Sequence, residues 1–86
     1  MKLKVIGSHL CPDTLYALNC LCQAGAEVEF QDILSCHAAL LDYLALRETS
    51  PLYADVRGQR RIGIPCFVRE DGSMTRDLDE VLKEAQ

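Results

Sequence analysis

In the first third of the chain, the hydrophobic pattern changes from the period of a β-strand to that of a helix and back again, which restricts the fold. Residues 2–6 (KLKVI) alternate between polar and apolar side chains and end at Gly7, which predicts a short β-strand. A helical pattern begins at Pro12, whose fixed φ and missing N–H suit the first position of a helix. Gly25 is a suitable end for that helix, and residues 27–33 (EVEFQDI) alternate again. Two strands joined by a helix are expected to be parallel, with a right-handed connection.

Apolar spacing predicts which side of each helix is buried. Ser35 is expected to cap a second helix that runs through CHAALLDYLALR, and Ser50-Pro51 has the form of a further helix start. In the first helix, spacings of +4, +3 and +4 define one apolar stripe, which we expect to be buried. That stripe consists of Cys11, Leu15, Leu18 and Cys22. The residues expected near the buried side of the second helix are Leu40, Tyr43, Leu44 and Leu46.

The last third of the chain predicts a hairpin followed by a helix. Residues 62–70 (IGIPCFVRE) are strand-like, although Pro65 belongs only at the start or edge of a strand. Asp71-Gly72 is a hairpin signal, and Asp77 can cap a final helix over LDEVLKEA. The element order β-α-β-α-β-β-α then predicts one α/β domain over residues 1–86, with a four-stranded mixed sheet flanked by helices.

Charge and hydropathy narrow the class of partner. A net charge near −4 argues against nucleic acid as the main partner, because phosphate binding requires a basic surface. No apolar run approaches the roughly 18 residues that a membrane span needs. The N-terminal MKLKVIG is neither a secretory signal nor a lipidation motif, so we expect a cytoplasmic protein without a membrane partner.

The five cysteines in 86 residues are many for one small domain, and their number is odd. Without a signal peptide, reduced thiols are the expected state. Cys20 and Cys22 stand two positions apart on the first predicted helix and therefore point to opposite sides of it. Cys36-His37 supplies no second pair of ligands at the spacing of a zinc site, so we expect no bound metal.

Cys11 occupies a position that suits thiol chemistry. It falls at the N-cap of the first predicted helix, where unpaired backbone N–H groups and the helix dipole favour a thiolate. The Thr14 hydroxyl can donate a further hydrogen bond to the sulfur, and a protonated His9 would add to the effect, whereas Asp13 opposes it. A cysteine before a helix is also often an ordinary small buried residue, so the pattern leaves both interpretations open.

Three segments of the chain occur in an order typical of one family. They are the strand–CPDT–helix region, the segment RGQRRIGIPCFV, and DGSMTRDLDEVL before and within the last helix. Together they resemble the glutaredoxin branch of the thioredoxin-like fold, over essentially the whole chain. The resemblance implies a thiol–disulfide oxidoreductase with no tightly bound cofactor, for which glutathione is a possible cosubstrate. Cys11 would form a mixed disulfide with glutathione or a protein thiol, Thr14 would be the second catalytic residue of its motif, and Pro12 would contribute to substrate binding.

The resemblance also implies a set of substrate-binding residues. Pro65 would be a cis-proline that faces Cys11, and the backbone of Ile64 would pair with a bound peptide as a β-strand does. Gln59 and Arg60 would approach the glycine carboxylate of glutathione, although ordinary surface side chains are an equal interpretation. The stretch that would bind the γ-glutamyl end of glutathione consists of Thr75, Arg76 and Asp77.

Several positions depart from the family pattern. Ser8 stands where the family commonly has a basic residue, Asp13 replaces the usual tyrosine, and Ser73-Met74 replace paired glycines. Thr14 occupies the place of a second cysteine, so the motif predicts a monothiol mechanism in which a thiol from solution releases the mixed disulfide. Cys66 is a candidate internal resolving thiol, although packing within the strand is the favoured interpretation.

Two other classes of function are compatible with these residues. One is a redox-silent interaction module that uses the fold only as a scaffold. The other is a glutathione-dependent binding protein for a 2Fe–2S cluster, as some monothiol members of the family are. Those members carry Gly and Phe after the cysteine, whereas Pro12 and Asp13 follow it here, and this difference disfavours a cluster.

Overall fold

Two parallel strands joined by a helix form the N-terminal unit. In the computed structural model, which describes residues 1–85, this unit consists of β1 (Lys2–Gly7), α1 (Pro12–Gln23) and β2 (Glu27–Asp32). β1 and β2 pair in parallel along their whole length, from Lys2 opposite Glu27 onward. The strand, helix and strand that the first third of the sequence predicts are therefore confirmed, and the crossover places α1 on one face of the sheet.

Gly25 ends α1 as its sequence position predicts. Its φ is +78°, a left-handed conformation that glycine adopts without steric cost. The Gly25 N–H donates to the Cys22 carbonyl and the Ala26 N–H donates to the Leu21 carbonyl, each at 3.1 Å. This pair of hydrogen bonds is a Schellman motif, which satisfies carbonyls at the end of the helix and turns the chain into β2.

A second helix and a hairpin complete the sheet. The elements are α2 (His37–Thr49), a 3₁₀ turn (Pro51–Tyr53), β3 (Cys66–Arg69), β4 (Met74–Thr75) and α3 (Leu78–Glu84). β3 pairs antiparallel with both β1 and β4, so the strand order is β2-β1-β3-β4. The α/β class and the four-stranded mixed sheet are confirmed, and the arrangement is compatible with a thioredoxin-like fold.

Helices cover both faces of this sheet, and a separate apolar cluster lies beneath each layer. Alternate residues of β1 and β3 point to opposite faces, so Val5 and Phe67 belong to one cluster and Ile6 and Cys66 to the other. The first cluster also contains Leu3, Ala17, Leu21 and Val81, from β1, α1 and α3. The second cluster also contains Ile33, Tyr43, Tyr53 and Val56, from the α2 side.

The buried face of α1 differs from the predicted stripe. Thr14, Ala17 and Leu21 are buried, whereas Leu15 is 49% exposed and Cys22 is exposed. The predicted stripe begins at Cys11, but Cys11 is the N-cap and its side chain does not follow the helical rotation. The buried face is displaced by one residue, which corresponds to about 100° around the helix.

The start of α2 also differs from its prediction. Cys36, and not Ser35, is the N-cap. The Ser35 hydroxyl instead donates to the Asp32 carbonyl at 2.7 Å and closes the turn that follows β2. Ala39 and Tyr43 are buried, but Leu44 remains 41% exposed, contrary to the prediction. Within residues 1–85, no helix has the length and apolar character needed to cross a membrane.

Candidate active site

Cys11 lies at the end of a tight turn that follows β1. Its N–H donates to the Ser8 carbonyl at 3.0 Å, and its own carbonyl accepts the Leu15 N–H at 3.1 Å as the first bond of α1. The thiol is half-buried and makes no capping hydrogen bond within the described residues. Pro12 contributes no N–H at the start of α1, so the nearby unpaired donors are those of the next residues. Cys11 is therefore the N-cap residue of α1, but its thiol does not serve as a hydrogen-bonded cap within the described residues.

Thr14 is buried on the other side of this turn. Its Oγ1 accepts the Ser8 N–H at 3.4 Å, and within residues 1–85 no hydrogen bond joins it to Cys11. A Cβ atom at Gly7 would lie only 2.5 Å from Thr14 Cγ2, so the side chain packs directly against the glycine. The expected hydroxyl-to-sulfur hydrogen bond is thus absent from this part of the chain, and the observed contact fixes the turn that carries Cys11.

Cys11 opens into a groove of about 740 Å³, which we call the Cys11 groove. Its lining comes from the turn before α1 (Ser8, Leu10, Cys11 and Asp13), from Leu34, from residues 61–65 and from Arg76. The Ile64–Pro65 peptide bond is cis, as the resemblance implies. The fold therefore brings four predicted site residues into one groove: Cys11, Ile64, Pro65 and Arg76.

The remaining predicted site residues contribute differently. Thr75 Oγ1 donates to Glu80 at 2.8 Å and accepts the Asp77 N–H at 3.1 Å. The Asp77 carboxylate caps α3 by accepting the Asp79 N–H at 3.0 Å, as its sequence position predicts. These side chains build the start of α3, and they do not line the Cys11 groove described above. Pro12, Thr14, Gln59 and Arg60 also lie outside its lining in this part of the chain.

Arg61, and not Arg60, is the basic residue of the loop that reaches the groove. Arg60 and Arg61 are adjacent arginines of one loop, and both side chains are exposed. The sequence alone therefore does not indicate which of the two reaches the groove. The direction of this loop is set by α2, where Arg47 Nη2 donates to three of its carbonyls. Those carbonyls belong to Val56, Gln59 and Arg61, at 3.1, 3.4 and 3.3 Å. The Tyr43 hydroxyl adds a hydrogen bond to the Ile62 carbonyl.

Arg47 and Tyr43 are therefore site-building residues that sequence reasoning did not identify as such. They stand four positions apart, which places them on one side of α2. Tyr43 was expected only as a core residue, and it is indeed buried. An arginine four positions after a predicted core tyrosine, ahead of a long polar loop, is the signal in the sequence that indicates this role.

Arg76 is held in a fixed position beside the groove. Its guanidinium lies 5.3 Å from the centre of the Tyr53 ring, and its Nη2 donates to both Asp55 oxygens at 2.7 and 2.8 Å. This guanidinium holds the pKa of the Asp55 carboxyl below its ordinary value. The Arg76 Nε is buried and has no hydrogen-bond partner within residues 1–85. The positive charge of Arg76 is thus largely balanced by Asp55.

His9 is paired away from Cys11. Its Nδ1 lies 2.7 Å from Asp32 Oδ2, and the His9 side chain is 55% exposed. The other Asp32 oxygen accepts the Leu34 N–H at 2.9 Å. That backbone hydrogen bond, together with His9, lowers the pKa of Asp32. This arrangement ties the turn after β2 to the turn that precedes Cys11, so both turns support the same end of the sheet.

The other cysteines occupy distinct environments, and all five are free thiols. Cys66 is fully buried in the cluster beneath α2, and burial raises the pKa of its thiol. This environment disfavours attack by Cys66 as a resolving thiolate. Cys20 is half-buried, and Cys22 and Cys36 are exposed. Within residues 1–85, no group of three His, Cys, Asp or Glu side chains is arranged to hold a metal ion.

Comparison with known proteins adds no family to these observations. No family model, no curated protein and no solved structure matches the chain. The assignment of function therefore depends on the chemistry and geometry of the Cys11 groove.

Proposed function

We propose that the chain is a small glutaredoxin-like thiol–disulfide oxidoreductase that works with a single cysteine, Cys11, and uses glutathione as cosubstrate. One observation carries the proposal. Cys11 stands at the N-terminus of α1 in a groove that Ile64 and Pro65 also line. A partly accessible thiol at a helix N-terminus is an environment that favours the reactive thiolate.

The proposed reaction has two balanced steps. The Cys11 thiolate attacks one sulfur of a disulfide R–S–S–R′, so that Cys11–S–S–R forms and R′–S⁻ leaves and takes up a proton from water. A glutathione thiolate then attacks the R sulfur of that mixed disulfide, so that the Cys11 sulfur is the leaving group. This step releases the reduced Cys11 and leaves R–S–S–glutathione. The burial of Cys66 supports a resolving thiol from solution over an internal one.

Recognition of glutathione would use other residues that line the groove. The backbone of Ile64 would pair with an extended peptide, and Arg61 and Arg76 would supply positive charge for a carboxylate. Thr75 and Asp77 would contribute through the start of α3, which their side chains build. Gln59 and Arg60 lie in the same loop as Arg61, and their direct contact with glutathione stays a prediction.

A mixed-disulfide trap tests this function. The protein is incubated with glutathione disulfide, and the modified cysteine is identified by peptide mass spectrometry. We expect glutathione on Cys11 ahead of the other four thiols, and its release by added glutathione. Cys36→Ser is the matched control, because Cys36 is also a helix N-cap and is more exposed than Cys11, but it does not line the groove within the described residues. Cys11→Ser should lose the reaction, whereas Cys36→Ser should keep it.

A redox-silent interaction module is the second candidate. The observation in its favour is the set of exposed aliphatic side chains around the groove, namely Leu10, Leu34 and Ile62. This candidate requires no reactivity at Cys11. If Cys11 reacts with disulfides no faster than Cys22 or Cys36 does, the oxidoreductase proposal fails and the module is preferred.

A further inference from the structure

Three large aliphatic side chains surround Cys11 and remain in contact with solvent. Leu10 is 71% exposed, Ile62 is 52% exposed and Leu34 is 49% exposed, and all three line the Cys11 groove. They come from three separate parts of the chain: the turn before α1, the turn after β2 and the loop before β3. Three exposed aliphatic residues that converge on one groove indicate a surface on which an apolar group binds.

The two arginines that line the groove differ in how far an acidic side chain already balances their charge. Asp55 accepts hydrogen bonds from Arg76 at 2.7 and 2.8 Å, so the charge of Arg76 is largely satisfied. Arg61 is different, because its Nη1 lies 3.7 Å from Asp55 and its side chain is 60% exposed. Asp13 is the only acidic side chain among the described residues that line the groove. Arg61 is therefore the cation at the groove that is most available to an acidic ligand group.

Glutathione uses only part of this surface. It carries carboxylates that suit Arg61, but it has no large apolar side chain to cover Leu10, Leu34 and Ile62. A protein segment can supply both groups around its cysteine. Covering half-exposed aliphatic side chains removes apolar area from water, which favours such a ligand over a fully polar one.

We propose that the Cys11 groove takes, as its disulfide substrate, an extended protein segment with a large apolar residue next to its cysteine and an acidic residue that reaches Arg61. The inference rests on the proposed function and names the substrate class of the same site. Cys11 attacks the cysteine sulfur of the segment and expels the second thiol of that disulfide as a thiolate. A low-molecular-weight thiol such as glutathione then attacks the segment's sulfur in this mixed disulfide, forms a disulfide with the segment and releases Cys11 as a thiolate.

Short blocked peptides provide the probe. Each peptide carries one cysteine in disulfide linkage with thionitrobenzoate, whose release on attack by Cys11 is followed by absorbance. The peptides differ at the neighbouring position, Leu against Ser, and at a more distant position, Glu against Gln. We expect the peptide with Leu and Glu to react about three- to tenfold faster than the peptide with Ser and Glu, from the apolar area that it covers.

Variants of exposed residues test which side chains cause the preference for Leu and Glu in the peptide. Ile62→Ser or Leu34→Ser should reduce the Leu preference, whereas Leu41→Ser should not, because Leu41 is 52% exposed on α2 away from the groove lining described above. Arg61→Gln should remove the Glu preference, and Arg61→Lys should retain most of it. Lys83→Gln, on α3, is the control for the change in net charge.

The outcomes separate the two proposals. Equal rates for the Leu and Ser peptides, with Cys11 reactive towards both, would overturn the substrate class and leave the oxidoreductase function intact. No reaction of Cys11 with any peptide or with glutathione disulfide would overturn the function itself. The oligomeric state of Cys11→Ser, measured by analytical ultracentrifugation, gives one more outcome. A concentration-dependent dimer that Ile62→Ser abolishes would assign the apolar surface to a second copy of the chain and overturn the inference.

Discussion

Gly63 determines how closely Arg76 approaches the loop that borders the Cys11 groove. Its φ is +72°, and a Cβ atom there would lie 2.7 Å from Arg76 Nη1 and 2.9 Å from Tyr53 Cε1. The Tyr53 ring is fully buried and cannot move aside easily. A glycine at this position therefore serves both the backbone conformation and the placement of the guanidinium.

We expect Gly63→Ala to lower the free energy of unfolding by about 2–4 kcal/mol, from backbone strain and the close contacts together. Urea unfolding followed by circular dichroism measures this change. Gly58→Ala is the matched control, because Gly58 has a φ of +78° but nothing within 4 Å of the added Cβ. That variant should lose only about 1–2 kcal/mol, the cost of the conformation alone. Equal losses in the two variants would contradict the role assigned to the Arg76 contact.

Single residues also show where sequence reasoning succeeds. Cys11, Pro12 and Gly25 act through local backbone rules, and their positions relative to α1 are as predicted. Arg61 and Arg60 could not be separated from sequence, because neighbouring residues in a loop have the same composition signal. Their directions depend on hydrogen bonds from Arg47, which is more than ten positions away. Contacts of this kind arise only when the helix packs.

The helices show a second reason why part of the site could not be predicted. Leu15 and Leu18 have the same apolar character, yet only Leu18 packs against the core. The rotation of α1 is set by the contact of Thr14 with Gly7, a glycine that admits the threonine side chain where another residue would clash. A polar residue thus occupies the buried face, and a count of hydrophobic positions alone places that face incorrectly.

At the scale of elements, α2 supports the groove through Arg47. We expect Arg47→Met to keep the apolar stem but to free the loop, because three carbonyl hydrogen bonds are lost. Amide hydrogen exchange measures this effect at Val56, Arg57 and Gln59, whose N–H groups are hydrogen-bonded within the loop. Their opening free energy should fall by about 1–3 kcal/mol.

Glu48→Gln is the control for this experiment. It removes only the negative charge of the exposed carboxylate that lies 3.2 Å from Arg47, an ion pair that contributes little. Its loop amides should therefore exchange as they do in the unsubstituted protein. The reaction of Cys11 with disulfides should slow in Arg47→Met while the circular dichroism spectrum is retained. Unchanged exchange in Arg47→Met would show that the loop is held by other contacts, such as that of Tyr43 with Ile62.

At the scale of the whole molecule, the layered arrangement can be predicted from the sequence, whereas the ion pairs on the surface cannot. Alternation in β1 and β3 divides the apolar residues between two clusters, one on each face of the sheet. Ion pairs then tie elements that are distant in sequence. Arg69 on β3 binds both oxygens of Glu84 on α3 at 2.8 Å, and it reaches Glu80 at 3.3 Å. Such pairs depend on tertiary placement and leave no spacing pattern in the chain.

These pairs predict how stability responds to acid. Hydrogen bonds from Arg69 lower the pKa of Glu84 from its ordinary 4.5, and those from Arg76 lower the pKa of Asp55 from its ordinary 3.8. A carboxyl whose pKa is lower in the folded state stabilises the fold above its unfolded pKa. This contribution is lost as the pH falls through the folded pKa. Urea midpoints should therefore be steady from pH 7 to about 5 and should decline below about pH 4.

Glu84→Gln tests this assignment for the pair that joins α3 to β3. The variant cannot ionise, so it should be less stable than the unsubstituted protein at pH 7, and the difference should shrink as the pH approaches 3. Glu70→Gln is the control, because Glu70 is exposed and makes no ion pair within residues 1–85. Its urea midpoints should follow those of the unsubstituted protein across the range. A constant difference between Glu84→Gln and the unsubstituted protein from pH 7 to 3 would mean that the Glu84 carboxylate stabilises α3 through packing and not through its charge.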